Sequence, residues 1–119
     1  MLVIRNEQMR AIEALRLQEF EGRACAHLRK SFPTQCESLD QDGVAAFVRY
    51  GVDRARAIGF ESEFDILRFL NLVMVFGYEV EQQDWVREIL DHEGYEPCTK
   101  MDLLTETGML REEGALDEA

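Results

Sequence analysis

Histidine and cysteine are scarce in this sequence, which limits the metal and thiol chemistry that its side chains can support. The two histidines are His27 and His92, and the three cysteines include no C-x-x-C pair. Zinc usually needs four ligands in paired spacings such as C-x-x-C or H-x-x-x-H. His92 and Cys98 lie near several carboxylates, but a solvated helix end explains that group better than a zinc site. We therefore expect no metal and no cofactor.

The odd number of cysteines also argues against a disulfide framework and is typical of a reducing compartment. Cys25 and His27 are two residues apart on a predicted helix. They point about 200° away from each other and do not form a catalytic pair. Cys36 and Cys98 reach a histidine only through the fold, so we expect buried or idle thiols.

Long apolar runs and phosphate-binding motifs are absent as well. Neither G-x-x-x-x-G-K-[ST] nor G-x-G-x-x-G occurs. Residues 1–4 are apolar but too short for the core of a signal peptide. The longest apolar-rich stretch, residues 66–76, contains Arg68 and Asn71 and is shorter than the roughly 20 residues of a membrane span. These absences predict a cytoplasmic protein without membrane contact.

Carboxylates are abundant between residues 79 and 91, where paired acids would be the remaining route to catalysis. Acid–base pairs need two carboxyl groups in unlike environments inside a cleft. In a segment this acidic, chance pairs are expected, so a solvated face or a face that receives basic side chains is the better interpretation. We therefore predict that the protein is not an enzyme.

What the sequence does contain is helical periodicity. Residues 6–31 form the first predicted helix, with an apolar stripe and an interior Gly22 that marks a close helix crossing or a bend. Pro33 ends it and opens a connecting segment, residues 33–42, with one short turn. The second long helix covers residues 43–58 and stops at Gly59. The stripe of the first helix consists of Met9, Ile12, Phe20, Ala24 and Leu28, widened by Leu15 and Leu17.

The third predicted helix opens at Ser62, which caps its first turn, and ends at Gly77. Residues 66–76 are apolar on nearly every side, which predicts a central, buried helix. A buried strand is the alternative for this run, but the cap and the length favour helix. A fourth helix over residues 83–92 and a short fifth helix from Thr99 follow.

Together these elements predict an all-α fold, a compact bundle of four to five helices around the buried third helix. Residues 1–108 are expected to form a single domain, and residues 109–119 an acidic, frayed tail. The apolar arm of residues 1–4 either packs within the domain or docks on another molecule.

Positive charge is almost missing from the second half of the chain. Residues 1–60 hold nine Lys/Arg and eight Asp/Glu, whereas residues 61–119 hold four and sixteen. This asymmetry repels nucleic acid and anionic membranes and attracts a basic partner; plain solubility is the alternative explanation. A modest basic zone, formed by Arg23, Arg29, Lys30, Arg49, Arg54 and Arg56, is expected to pair with the acidic half, inside the fold or across an interface, rather than with nucleic acid.

One segment combines aromatic and acidic residues in the way that protein contact sites do. It surrounds the only tryptophan, Trp85, which on the alternative interpretation is a core residue. Self-association of the chain stays open. The candidate partner-binding residues are Tyr78, Glu79, Glu81, Asp84, Trp85 and Glu88.

Several stretches together resemble small bacterial proteins that are often encoded beside type VI secretion effector and spike-tip (PAAR) genes. The stretches are residues 1–9, 27–33, 69–77, 85–90 and 100–102, so the resemblance extends to about residue 104. It implies a co-chaperone or adaptor that binds an effector or its dedicated chaperone, and it assigns no role to any residue. An immunity protein that neutralises a basic toxin such as a nuclease is the alternative.

Overall fold

A computed structural model of the chain describes the backbone of residues 6–117 and the side chains of residues 7–112. Within these ranges the regular structure consists of six α-helices and one 3-10 turn, Val80–Gln82, without a strand. The prediction of an all-α fold is confirmed. The helices are α1 (Asn6–Ser31), α2 (Pro33–Ser38), α3 (Gln41–Ile58), α4 (Glu63–Phe76), α5 (Asp84–Leu90) and α6 (Pro97–Asp117).

These helices belong to two compact units, residues 1–49 and residues 50–119, and α3 contributes to both. The expected single domain over residues 1–108 stays a prediction. The arm at residues 1–4 lies outside the described residues. The expected tail at residues 109–119 begins inside α6, whose backbone is helical through Asp117.

In the first unit, the apolar stripe predicted for α1 is only partly buried. Phe20, Ala24 and Leu28 are buried, whereas Met9, Ile12 and Leu15 are exposed. The buried residues are spaced by four positions and the exposed ones by three. With 3.6 residues per turn, steps of four and steps of three drift around the helix in opposite directions. The two sets therefore diverge onto different faces, and of these six residues only Phe20, Ala24 and Leu28 contribute to the core.

The predicted turn at Pro33 is the helix α2, with proline in its first turn. The N-terminus of α3 is capped by Asp40, because the Gly43 N–H donates to Asp40 Oδ1 at 2.7 Å. An aspartate cap of this kind satisfies a backbone donor that the helix leaves free. The helix therefore begins at Gln41, two residues before the predicted start.

In the second unit, both ends of α4 lie where the sequence placed them. The Ser62 Oγ accepts a hydrogen bond of 3.1 Å from the Asp65 N–H, which confirms the predicted cap. Gly77 ends the helix with a φ of +93°, a conformation that favours glycine. Gly59, the predicted stop of α3, has a φ of +122°.

Helix α4 is not buried on all sides, although its sequence is apolar nearly all round. Ile66, Phe69 and Leu70 are buried, but 68% of Phe64 and 41% of Val75 are exposed. The predicted central position of α4 stays a prediction, and its exposed side is described with the candidate site below.

The last helix, α6, is much longer than predicted, because Gly108 does not end it. Gly108 lies inside α6, where a Cβ atom would lie 3.3 Å from Phe76 Cε2 and 3.4 Å from Leu72 Cδ1. Glycine at this position permits a close approach of α6 to α4, which outweighs its poor helix propensity. The predicted fourth helix, residues 83–92, corresponds to α5, which is shorter at both ends, and the 3-10 turn before it was not predicted.

Of the two roles predicted for Gly22, a close helix crossing or a bend, the crossing is not found there, and a close approach occurs instead at Gly51. A Cβ at Gly22 would meet nothing within 4 Å, whereas a Cβ at Gly51 would overlap Leu70 Cδ2 and lie 3.2 Å from Leu70 Cγ. Leu70 is fully buried, so it has little room to move away.

We predict that Gly51→Ala lowers the free energy of unfolding by up to about 2 kcal/mol. Overpacking a core usually costs about 1–3 kcal/mol, and the better helix propensity of alanine offsets about 1 kcal/mol of that cost. Urea denaturation followed by circular dichroism measures the change.

Gly22→Ala is the matched control, because it makes the same substitution at an exposed, interior position of a helix. It is expected to raise the free energy of unfolding by about 0.5–1 kcal/mol. Equal effects of the two substitutions would contradict the close contact between Gly51 and Leu70.

Candidate functional site

The six candidate partner-binding residues lie on the stretch that follows α4. Tyr78 and Glu79 occupy the turn after the helix, Glu81 lies in the 3-10 turn, and Asp84, Trp85 and Glu88 lie on α5. Tyr78, Glu79, Asp84 and Glu88 are exposed. Asp84 and Glu88 are four residues apart on α5 and therefore share a face.

Trp85 is a core residue of the second unit, since only 7% of it is exposed. Its Nε1–H donates to Gln83 Oε1 at 2.6 Å, and its ring meets the edge of Phe76 with centroids 5.5 Å apart. The guanidinium of Arg111 lies 5.2 Å from the centre of the Trp85 ring. Trp85 is therefore packed in the core of the second unit, and its ring is not presented to a partner.

Glu81 is occupied by an internal ion pair. Arg54 on α3 donates from Nε to Glu81 Oε2 at 2.9 Å and from Nη2 to Glu81 Oε1 at 2.7 Å. Two parallel charge-assisted hydrogen bonds fix both side chains, and this contact fastens the end of α3 to the 3-10 turn. The expected pairing of the basic zone with the acidic half is confirmed at Arg54. Arg49 instead lies 3.8 Å from Glu21 of the first half.

The cations of residues 61–119 are all held by contacts inside the second unit. Arg68 Nη1 lies 2.8 Å from Asp102 Oδ1 and 3.6 Å from Asp65 Oδ1. Arg87 pairs with Asp91 at 3.5 Å, and Arg111 lies over Trp85.

The remaining cation, Lys100, donates from Nζ to the Leu90 carbonyl at 2.7 Å. These four cations compare with sixteen acids in the segment, and Glu79, Asp84 and Glu88 are among the exposed ones. The exposed surface that they form is therefore strongly negative.

A groove between α4 and α6 is the feature of the second unit that sequence reasoning missed. Its volume is about 130 Å³. We call it the α4–α6 groove, and its lining residues are Arg68, Asn71, Leu72, Val75, Phe76, Thr105, Gly108, Met109 and Glu112.

The floor of the groove is apolar, and charged side chains stand at its edges. Val75 and Met109 are 41% and 61% exposed, while Arg68 and Glu112 supply opposite charges. Gly108 contributes no side chain, so the floor stays open. An isolated glycine inside a helical pattern often has a packing reason, and this was the signal available in the sequence.

The histidines and cysteines were the candidates for metal and thiol chemistry. The described residues contain no group of three or more His, Cys, Asp or Glu side chains placed to hold a metal ion. His92 stacks on Tyr95 at 3.8 Å, and its Nδ1 accepts a hydrogen bond of 3.1 Å from the Gly94 N–H.

Cys25 and Cys36 are buried, whereas Cys98 is exposed. Burial raises the pKa of the Cys25 thiol above its ordinary value, and Glu21 adds to the shift against the opposing effect of Arg29. The thiolate is the reactive form of cysteine, so Cys25 stays protonated and unreactive at neutral pH.

We predict that iodoacetamide alkylates Cys98 at least about tenfold faster than Cys25 in the native protein at pH 7.5, because the buried thiol is both protonated and shielded. Mass spectrometry of tryptic peptides after timed quenching gives both rates. Denaturant should bring the two rates close together. Equal rates in the native protein would contradict the burial of Cys25.

None of the helices in the described part of the chain combines the length and apolar character that a membrane crossing requires. Comparison of the chain with protein-family models, with curated proteins and with solved structures yields no match.

Proposed function

We propose that this chain is a non-enzymatic accessory protein, a co-chaperone or adaptor, that binds a type VI secretion effector or the effector's dedicated chaperone. The contact uses the acidic surface of the second unit, and the partner surface that it receives is basic. The secretion context comes from the sequence resemblance alone. The electrostatic part of the proposal is argued from the contacts of the described residues.

The observation that carries the proposal is the internal use of the four cations at Arg68, Arg87, Lys100 and Arg111. Because these cations are already engaged, Glu79, Asp84 and Glu88 face solvent as uncompensated charges. Such a surface steers oppositely charged proteins toward it and raises their association rate.

The same charge makes nucleic acid and anionic membrane poor partners, since both repel an acidic surface. We place the protein in the cytoplasm of the secreting cell, where an adaptor meets its cargo before export. Self-association is expected to be weak, because two copies with a formal charge of −11 each repel one another.

An immunity protein that neutralises a basic toxin is the second candidate, and the same acidic surface favours it. Acidic proteins are complementary to enzymes that bind nucleic acid through basic clefts. Co-expression with the effector separates the two functions. An immunity protein protects cells from the effector alone, whereas a co-chaperone changes export without protecting the cell.

We predict that the tagged protein captures a basic effector or chaperone from native lysate at low salt, and that raising the salt weakens this capture. The triple variant Glu79→Lys, Asp84→Lys, Glu88→Lys should lose it, because three attractive charges become repulsive.

The matched control is Glu7→Lys, Glu13→Lys, Glu19→Lys, which changes the net charge equally at exposed positions of α1. It should retain the partner. Recovery of neither effector nor chaperone by the wild-type protein, at low or high salt, would rule out the proposed function. Equal losses in the two triple variants would rule out the docking surface.

A further inference from the structure

The α4–α6 groove continues along one side of α4 as far as the exposed ring of Phe64. Phe64, Arg68, Asn71 and Val75 recur at spacings of four, three and four residues, which places them on a single helix face. Phe64 is 68% exposed, and the Arg68 guanidinium lies 5.0 Å from the centre of its ring. From Phe64 to Val75 this surface is about 16 Å long, or three turns of a helix.

The groove is the wrong size for a small-molecule site. Its volume of about 130 Å³ is well below the roughly 300–1,000 Å³ of pockets that bury a drug-sized ligand. An open groove with a mainly apolar floor, about two turns long on each helix, instead matches the way in which an amphipathic helix inserts side chains at every third or fourth position.

We propose that the α4–α6 groove binds a basic amphipathic helix of the protein partner, with the apolar face of that helix on Val75 and Met109. The inference rests on the proposed function, since it takes the basic character of the partner from there. It adds the secondary structure of the bound segment and the surface that receives it.

Charge complementarity selects a basic helix as the occupant. Asp102 and Glu112 lie on α6, Asp102 with 62% of its side chain exposed and Glu112 at the edge of the groove. The groove's own cation, Arg68, is paired with Asp102 and Asp65. These two carboxylates and Glu112 outnumber Arg68 by three to one, so the local charge stays negative and favours lysines or arginines of the partner. A second copy of this chain would bring a net charge of −11 against the same surface.

The test uses a fluorescein-labelled peptide of about 15 residues, long enough to form helix when bound, with leucines at i, i+4, i+7 and i+11 and lysines at most other positions. Two control peptides carry glutamate in place of lysine or the same residues in scrambled order. Fluorescence anisotropy measures binding. Trp85 emission is a second readout, because the Trp85 ring would lie 3.6 Å from a Cβ at Gly108 on the groove floor.

We expect the lysine peptide to bind at least about tenfold more tightly than either control peptide. Met109→Glu should weaken its binding about tenfold or more, because a charge replaces part of the apolar floor. Val75→Glu is expected to act in the same direction. Both residues are exposed, so the variants should fold, and circular dichroism checks this.

Leu110→Glu is the matched control, since Leu110 is adjacent to Met109 on α6 and 67% exposed but does not line the groove. It adds the same charge and should change the affinity less than about threefold. If Met109→Glu and Val75→Glu bind the lysine peptide as Leu110→Glu does, the groove inference is overturned. The inference is also overturned if this chain self-associates and Met109→Glu abolishes the association while Leu110→Glu does not. In that case the occupant of the groove is a second copy of the chain.

The same variants separate this inference from the proposed function. Capture of an effector or chaperone by wild type and by Met109→Glu alike would overturn the groove while leaving the function standing. If the lysine peptide binds the groove but neither effector nor chaperone is captured from lysate, the groove inference is supported and the proposed function is ruled out.

Discussion

The second unit depends on the missing side chain at Gly108, which lets α6 lie close against α4. A Cβ there would crowd Phe76 and Leu72, so that these side chains would have to shift by a few tenths of an ångström. The close approach accompanies the burial of Met101 and Leu104 on the same helix and the contact of Trp85 with Phe76. It also leaves the α4–α6 groove between the two helices, so one small residue shapes both the core and the candidate binding surface.

Charged residues of the same unit fall into two groups: cations that contact other groups within the unit, and acids that face solvent. Cations are placed where they join helices: Arg54 to the 3-10 turn, Arg68 to α6, and Lys100 to the end of α5. Exposed ion pairs of this kind contribute little to stability individually. Their larger effect is on the surface potential. A cation that is held in a contact inside the unit does not neutralise the exposed carboxylates elsewhere on its surface. An acidic surface therefore results from the contacts as well as from the composition.

Local signals in the sequence predicted the fold well, and long-range packing was predicted poorly. Ser62, Gly59 and Gly77 act through the backbone of their own helix ends, so their roles can be derived from neighbouring residues. Gly22 and Gly108 were misinterpreted because a glycine looks the same whether it ends a helix, fills an exposed position or permits close packing. The groove depends on which faces of α4 and α6 meet across about 35 residues of chain, and periodicity within either helix does not contain that information.

The hydrogen bond from Lys100 to the Leu90 carbonyl has a consequence for local unfolding. It joins the last turn of α5 to the first turn of α6 across the intervening loop, so neither end can separate from the other without breaking it. Segments tied in this way tend to open as one cooperative group in hydrogen exchange. A partner that binds α6 would therefore also slow amide exchange in α5, although it touches no residue of that helix.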